Sequence, residues 1–129
     1  MGDGTFRGTL TPEVIQLLFT GLTTTFFKEF LFGLWLTLPL LLSLAVIIFV
    51  LGQIVGKKER WLPFDSFYWS FITATTVGYG DIRPLNRSSR ILSVVIALIG
   101  LTLSGIVVAV AVHAATVALA AHDAAVKPF

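Results

Sequence analysis

The sequence predicts an all-α membrane protein, in which two transmembrane helices flank a re-entrant half-helix and an irregular loop. Three observations predict it. Residues 31–55 and 91–121 are long runs without a formally charged side chain. Composition agrees: 56% of residues are hydrophobic, 12% are charged and the mean hydropathy is +0.91. Between the runs, a shorter apolar segment ends in a glycine-punctuated stretch, TATTVGYGD, Thr73 to Asp81.

The N-terminal segment, residues 1–30, opens with ten polar, glycine-containing residues expected to be loose. Thr11 suits a helix cap, with Pro12 at the first position and Glu13 in the first turn. Val14, Ile15, Leu17, Leu18 and Phe19 make the following segment apolar, and Gly21 is placed to end it. Such a helix is too short to span a bilayer. It reads as an interfacial helix lying on the membrane; a frayed terminal extension fits the same residues. No basic stretch leads into an apolar core, so a cleaved signal peptide is not expected. Met1-Gly2 opens a myristoylation pattern, but Phe6 stands where Ser or Thr is needed.

The outer span, 31–55, would measure roughly 37 Å as a helix, enough to cross about 30 Å of hydrocarbon with some tilt. Lys28 and Glu29 mark its start, and Lys57, Lys58, Glu59 and Arg60 its end. Pro39 should kink or loosen it. Gln53 is its one strongly polar side chain, close to the end. The inner span, 91–121, would reach roughly 46 Å, so its surplus must tilt or protrude. Arg90 and Asp123 flank it. Ser93, Ala97, Gly100, Ser104, Ala111 and Ala118 form a small-residue stripe suited to close helix contact in lipid. The tail, 122–129, has no recognisable domain character.

Residues 56–90 carry the specific signal. Trp61, Phe64, Phe67, Tyr68 and Trp69 cluster as aromatic interface anchors do. Asp65 or Ser66 is expected to cap a helix over about 65–75, roughly 15 Å long, which enters the membrane without crossing it. Irregular backbone at that depth survives only where protein buries it or it lines water. A row of carbonyls aimed at one axis needs alternating right- and left-handed dihedrals, and Gly78 and Gly80 occupy alternate positions where glycine adopts the left-handed ones cheaply. Val77 and Tyr79 would then point away from the axis. Carbonyl and hydroxyl oxygens are hard ligands for a bare alkali cation, and the chain has no cysteine for a soft metal. The negative end of the half-helix dipole would favour the same cation. One chain supplies one strip of oxygens, so a ring implies a cyclic homo-oligomer.

These residues resemble the signature of potassium channels, in which TVGYG is the selectivity filter. The likeness covers about residues 31–121 and is greatest to minimal bacterial channels with two membrane helices per subunit. It implies a homotetramer in the lipid bilayer, in a bacterial inner membrane, with K+ as the conducted ion. It assigns ion binding to the carbonyls of Thr76, Val77, Gly78 and Tyr79 and the Thr76 hydroxyl. Gly80, Asp81, Trp69 and Ile72 fall at filter-support positions. Asp81 resembles the family aspartate that accepts a hydrogen bond from a tryptophan, here Trp69; a solvated turn residue is the other reading. Ile72 stands where proton-activated relatives carry a glutamate, so support is expected to rest on Trp69–Asp81. Gly100 aligns with a gating-hinge glycine, although close packing explains a glycine equally well. Gly105 has the same ambiguity. Leu101, Ser104 and Val108 are candidates to line the inner cavity or gate. His113 reads either as a proton sensor or as an interfacial residue, and His122 as solvated.

One signal conflicts. Lys57, Lys58, Arg60, Arg83, Arg87 and Arg90 lie between the spans, which the positive-inside rule would place in the cytoplasm. The resemblance places that region outside, with some of these cations tied to acidic neighbours. A net charge of +2 gives no case for nucleic acid, and no nucleophile–base pair suggests an enzyme. No span carries arginine at every third position, so no voltage sensor is expected. Alternatives are the pore module of a larger receptor or regulator-tethered channel, with a cytoplasmic regulatory domain outside this chain, a less selective cation channel, or a non-conducting subunit.

Overall fold

The structure, a computed structural model, describes residues 11–126. The loose terminus expected over residues 1–10, Phe6 included, and residues 127–129 lie outside the described residues. Among the described residues the fold is three helices and no strand: α1 (Pro12–Glu59), α2 (Pro63–Ala74) and α3 (Arg87–Val126). α1 and α3 are the two helices long and apolar enough to cross a membrane. α2 has 12 residues, a length of roughly 18 Å, so it cannot cross about 30 Å of hydrocarbon.

Two expected boundaries differ. α1 runs through Gly21 without a break, so residues 12–59 form one helix in place of an interfacial helix followed by a span. An interior glycine costs a helix only about 1 kcal/mol, and α1 carries Gly33, Gly52 and Gly56 as well as Gly21 without breaking. α1 also continues through Pro39. α3 extends past Ala121 to Val126, taking His122 and Asp123 into the helix. At α1's other end Arg60 adopts a left-handed φ of 59°, and the Trp61 N–H donates to the Gly56 carbonyl at 2.9 Å. That pattern closes the helix as a glycine would.

The chain divides into two compact units. In Leu34–Val110, the core joins Ile48 and Val55 of α1, Trp69 and Ala74 of α2, and Ile96 of α3. Trp61, Ile82, Leu92 and Leu103 pack around it. Trp69 is therefore a core residue, 4% exposed, and not an interface anchor. Its ring meets Trp61 edge-on at 5.4 Å between centroids, a geometry worth about 0.5–1.5 kcal/mol beyond burial. α1 and α2 approach closely through small residues. A methyl on Gly52 would come within 2.5 Å of the Ser70 Cβ, and one on Gly56 would collide with the Ser66 side chain. Ser66 and Ser70 turn their hydroxyls back to the Leu62 and Phe67 carbonyls, so both are buried and satisfied.

The other unit pairs residues up to Gly33 with those from Ala111. Within it Ala114 and Ala118 are fully or nearly fully buried. Leu22, Thr25 and Phe26 are half-buried, consistent with alanine giving α1 room to approach.

Candidate functional site

α2 begins earlier than the capping pattern predicts. Its cap residue is Leu62, which makes no side-chain bond, and Pro63 occupies the first turn, where its missing N–H costs nothing. Asp65 falls inside the first turn, favourably placed for the helix dipole, and Ser66 lies within the helix.

The C-terminal end of α2 is closed by the loop that follows. Thr75 donates its backbone N–H to the Phe71 carbonyl at 3.0 Å and its hydroxyl to the same oxygen at 2.8 Å. Thr76 N–H reaches the Thr73 carbonyl at 3.1 Å. The Ile72 carbonyl accepts from both Val77 N–H, at 3.0 Å, and Gly78 N–H, at 3.2 Å. Carbonyls that a helix end leaves unpaired are thus used to hold the TVGYG loop. Ile72 contributes this carbonyl, while its side chain is buried at 6% exposure.

The loop backbone alternates in hand. Thr76, Gly78 and Gly80 have φ of 61°, 53° and 79°, and Val77 and Tyr79 between them are not positive. Alternation of this kind turns successive carbonyls to one side of the strand. The glycines were expected to take left-handed positions; Thr76 was not. A β-branched residue there costs about 1–3 kcal/mol. The three backbone bonds to Thr73 and Ile72, each worth about 0.5–1.5 kcal/mol net, are sufficient to hold it. Val77 and Tyr79 are exposed in the single chain, 50% and 72%.

Beside Trp69, a second aromatic residue of α2 bears on Asp81. The Asp81 carboxylate contributes to the raised pKa of the Tyr68 phenol, while the Trp69 indole packs in the core against Trp61. Neighbours on a helix are about 100° apart, so one of the two faces the loop and the other the core. Partial desolvation, with the Asp81 carboxylate as acceptor and charge, raises the Tyr68 pKa above its ordinary 10.0. Asp81 itself is exposed.

A family profile described as "Ion channel" matches residues 34–117. The chain belongs to this ion-channel family. Similar proteins include TWiK family of potassium channels protein 7 of Caenorhabditis elegans, 39% identical over 70 residues, covering 52% of this chain and 13% of that protein. Potassium channel KAT3 of Arabidopsis thaliana is 41% identical over 71 residues, covering 50% of this chain and 11% of that one. A voltage-gated potassium channel of Aeropyrum pernix is 38% identical over 39 residues, 30% of this chain and 13% of that one. The chain thus spans only a small part of the length of these relatives. No solved structure matches it.

In this channel chain the two α3 glycines differ. A methyl on Gly100 would strike the backbone of Ala74, with the Ala74 carbonyl carbon 2.6 Å away. Gly100 is a packing glycine against the end of α2. Around Gly105 nothing lies within 4 Å of such a methyl, so in the single chain it is free of packing demands. Leu101 and Val108 are each 60% exposed. Ser104 instead lines an apolar cavity with Leu103. His113 is exposed; its carbonyl accepts the Thr116 hydroxyl at 2.7 Å, and among the described residues its ring pairs with no carboxylate. His122 lies 3.8 Å from Asp123.

Sequence reasoning missed Glu59. Its carboxylate accepts the backbone N–H groups of Leu85, at 3.1 Å, and Asn86, at 3.0 Å, and the Asn86 side-chain amide at 2.9 Å. It thereby ties the last residue of α1 to the turn that starts α3, where N–H groups are unpaired and the dipole favours an anion. Among the described residues the basic residues between the spans form no ion pair in the single chain. Arg90 instead donates its Nε–H to the Pro84 carbonyl at 3.3 Å.

Proposed function

We propose that the chain is the pore-forming subunit of a potassium-selective channel, assembled as a homotetramer in a cell membrane. The observation that carries this is the alternating hand of Thr76, Gly78 and Gly80 at the end of a helix too short to cross the bilayer. Carbonyls of Thr76, Val77, Gly78 and Tyr79, with the Thr76 hydroxyl, replace the hydration shell of K+ in four-fold cages. Dehydrated backbone in hydrocarbon costs several kcal/mol per group; an ion that coordinates those oxygens removes the penalty. Gly80 continues the alternation, and Asp81, held by Tyr68, anchors the outer end. Potassium channels among the relatives support the choice of ion. The large exposed apolar surface of α1 and α3 is met by lipid and by neighbouring copies.

Ion-dependent stability of the detergent-purified protein tests the assignment. K+ should raise the melting temperature of a tetramer relative to equimolar Na+, and Gly78→Ala should abolish the difference. Equal stability in both ions, or a monomer under cross-linking, would reject it.

A second reading, that this pore works under a larger regulatory assembly, is favoured by the small share of each relative that the chain spans. It leaves the ion and the pore residues unchanged.

A further inference from the structure

We propose that Ser89 completes a carboxylate-binding cradle at the start of α3, in which Glu59 is the tethered ligand and a small free carboxylate can take its place. Three donors of the cradle are already engaged. Glu59 Oε2 accepts the Leu85 N–H, at 3.1 Å. Glu59 Oε1 accepts both the Asn86 N–H, at 3.0 Å, and the Asn86 side-chain amide, at 2.9 Å. A carboxylate offers about four lone-pair sites, two on each oxygen. One acceptor site therefore remains open, on Oε2.

A fourth donor stands beside it. Ser89 lies in the first turn of α3 and is fully buried. Its hydroxyl oxygen has no hydrogen-bond partner of ordinary geometry among the described residues. The Ser93 hydroxyl goes to the Ser89 carbonyl, so it leaves the Ser89 side chain free. Against the effect of desolvation, Ser89 acts with Leu85 and Asn86 to favour the charged form of the Glu59 carboxyl. A buried hydroxyl without a partner costs the folded state, and a small rotation toward Oε2 removes that cost. The surroundings favour an anion as well. The Asn86 carbonyl accepts the first helical N–H, from Arg90, so the cradle sits at the positive end of a 40-residue helix. Residues 57–90 carry six cations, Lys57, Lys58, Arg60, Arg83, Arg87 and Arg90, against the three carboxylates of Glu59, Asp65 and Asp81. None of these cations is paired among the described residues.

Amide exchange of the full chain, with acetate as probe, tests the cradle. Glu59→Ala removes one methylene and the carboxylate, the atoms that acetate returns. That variant should lose protection at the Leu85 and Asn86 amides, and acetate should restore it saturably. Chloride at the same ionic strength should not. Adding Ser89→Ala should weaken acetate roughly 2- to 10-fold, the value of one net hydrogen bond. If Glu59→Ala does not fold, Ser89→Ala alone decides the matter. It should speed exchange at Leu85 and Asn86 when Glu59 is present, and by less in Glu59→Gln, where the acceptor is uncharged. Acetate without effect, chloride as effective as acetate, or Ser89→Ala acting equally in both backgrounds would overturn the proposal. The readout needs no ion flux, so its failure and the failure of the conduction reading are separate results.

Discussion

Gly100 of α3 lies against the backbone of Ala74, the last residue of α2, with no room for a side-chain carbon between them. Its lack of a side chain therefore serves the support of the TVGYG loop. Gly100→Ala must push α2 or α3 aside, at about 1–3 kcal/mol for overpacking. The expected outcome is a less stable protein with weakened discrimination between K+ and Na+, read by thermal denaturation and by ion competition. A changed open probability at unaltered stability and selectivity would support the hinge reading for this position over the packing one.

Tyr68 stands beside Trp69 as a candidate anchor of Asp81. Tyr68→Phe removes the phenol whose proton the Asp81 carboxylate helps to hold. Current through Tyr68→Phe should decline faster during sustained opening. Trp69→Phe should instead lower overall stability through lost core packing. The raised Tyr68 pKa gives a further check, because the folded state holds the phenol proton more tightly. That contribution is intact below pH 10 and is lost as pH rises through the folded value. Phenolate absorbance assigned by difference to Tyr68 should therefore appear above pH 10.

Glu59 caps the start of α3 across the turn. Glu59→Gln keeps the shape but removes the charge that strengthens three hydrogen bonds. Hydrogen exchange at the Leu85 and Asn86 amides should accelerate by about tenfold, corresponding to roughly 1.4 kcal/mol at a half-exposed site. Exchange unchanged at both amides would contradict the clamp.

Two glycines of α1 should respond in opposite senses. Gly56→Ala drives a methyl into Ser66 and should destabilise the protein by about 1–3 kcal/mol. Gly21→Ala meets nothing within 4 Å inside a helix and should stabilise by up to about 1 kcal/mol. Melting temperatures of the pair, measured in one detergent, decide between close packing and simple propensity.

The half-helix was legible because its apolar run is too short for the bilayer and ends in glycines, a combination with few other physical outcomes. The left-handed positions of Gly78 and Gly80 were legible for the same reason. That of Thr76 was not: local preference argues against it, and bonds to Thr73 and Ile72 carbonyls impose it. Resemblance supplied Trp69 as an aromatic partner for Asp81 and passed over Tyr68, since sequence does not reveal which of two adjacent residues faces the core. Glu59 was read as a membrane-edge charge because its partners are backbone groups 26 and 27 residues away. The continuity of α1 through Gly21 escaped notice because a C-cap glycine and an interior glycine look alike in sequence.

The central claim is selective conduction through a ring of TVGYG loops. Flux from vesicles that hold the purified chain and are loaded with K+ or Na+ tests it most directly. K+ efflux far faster than Na+ efflux, lost in Gly78→Ala, is the predicted result. Equal permeation of the two ions, or none of either, would contradict it.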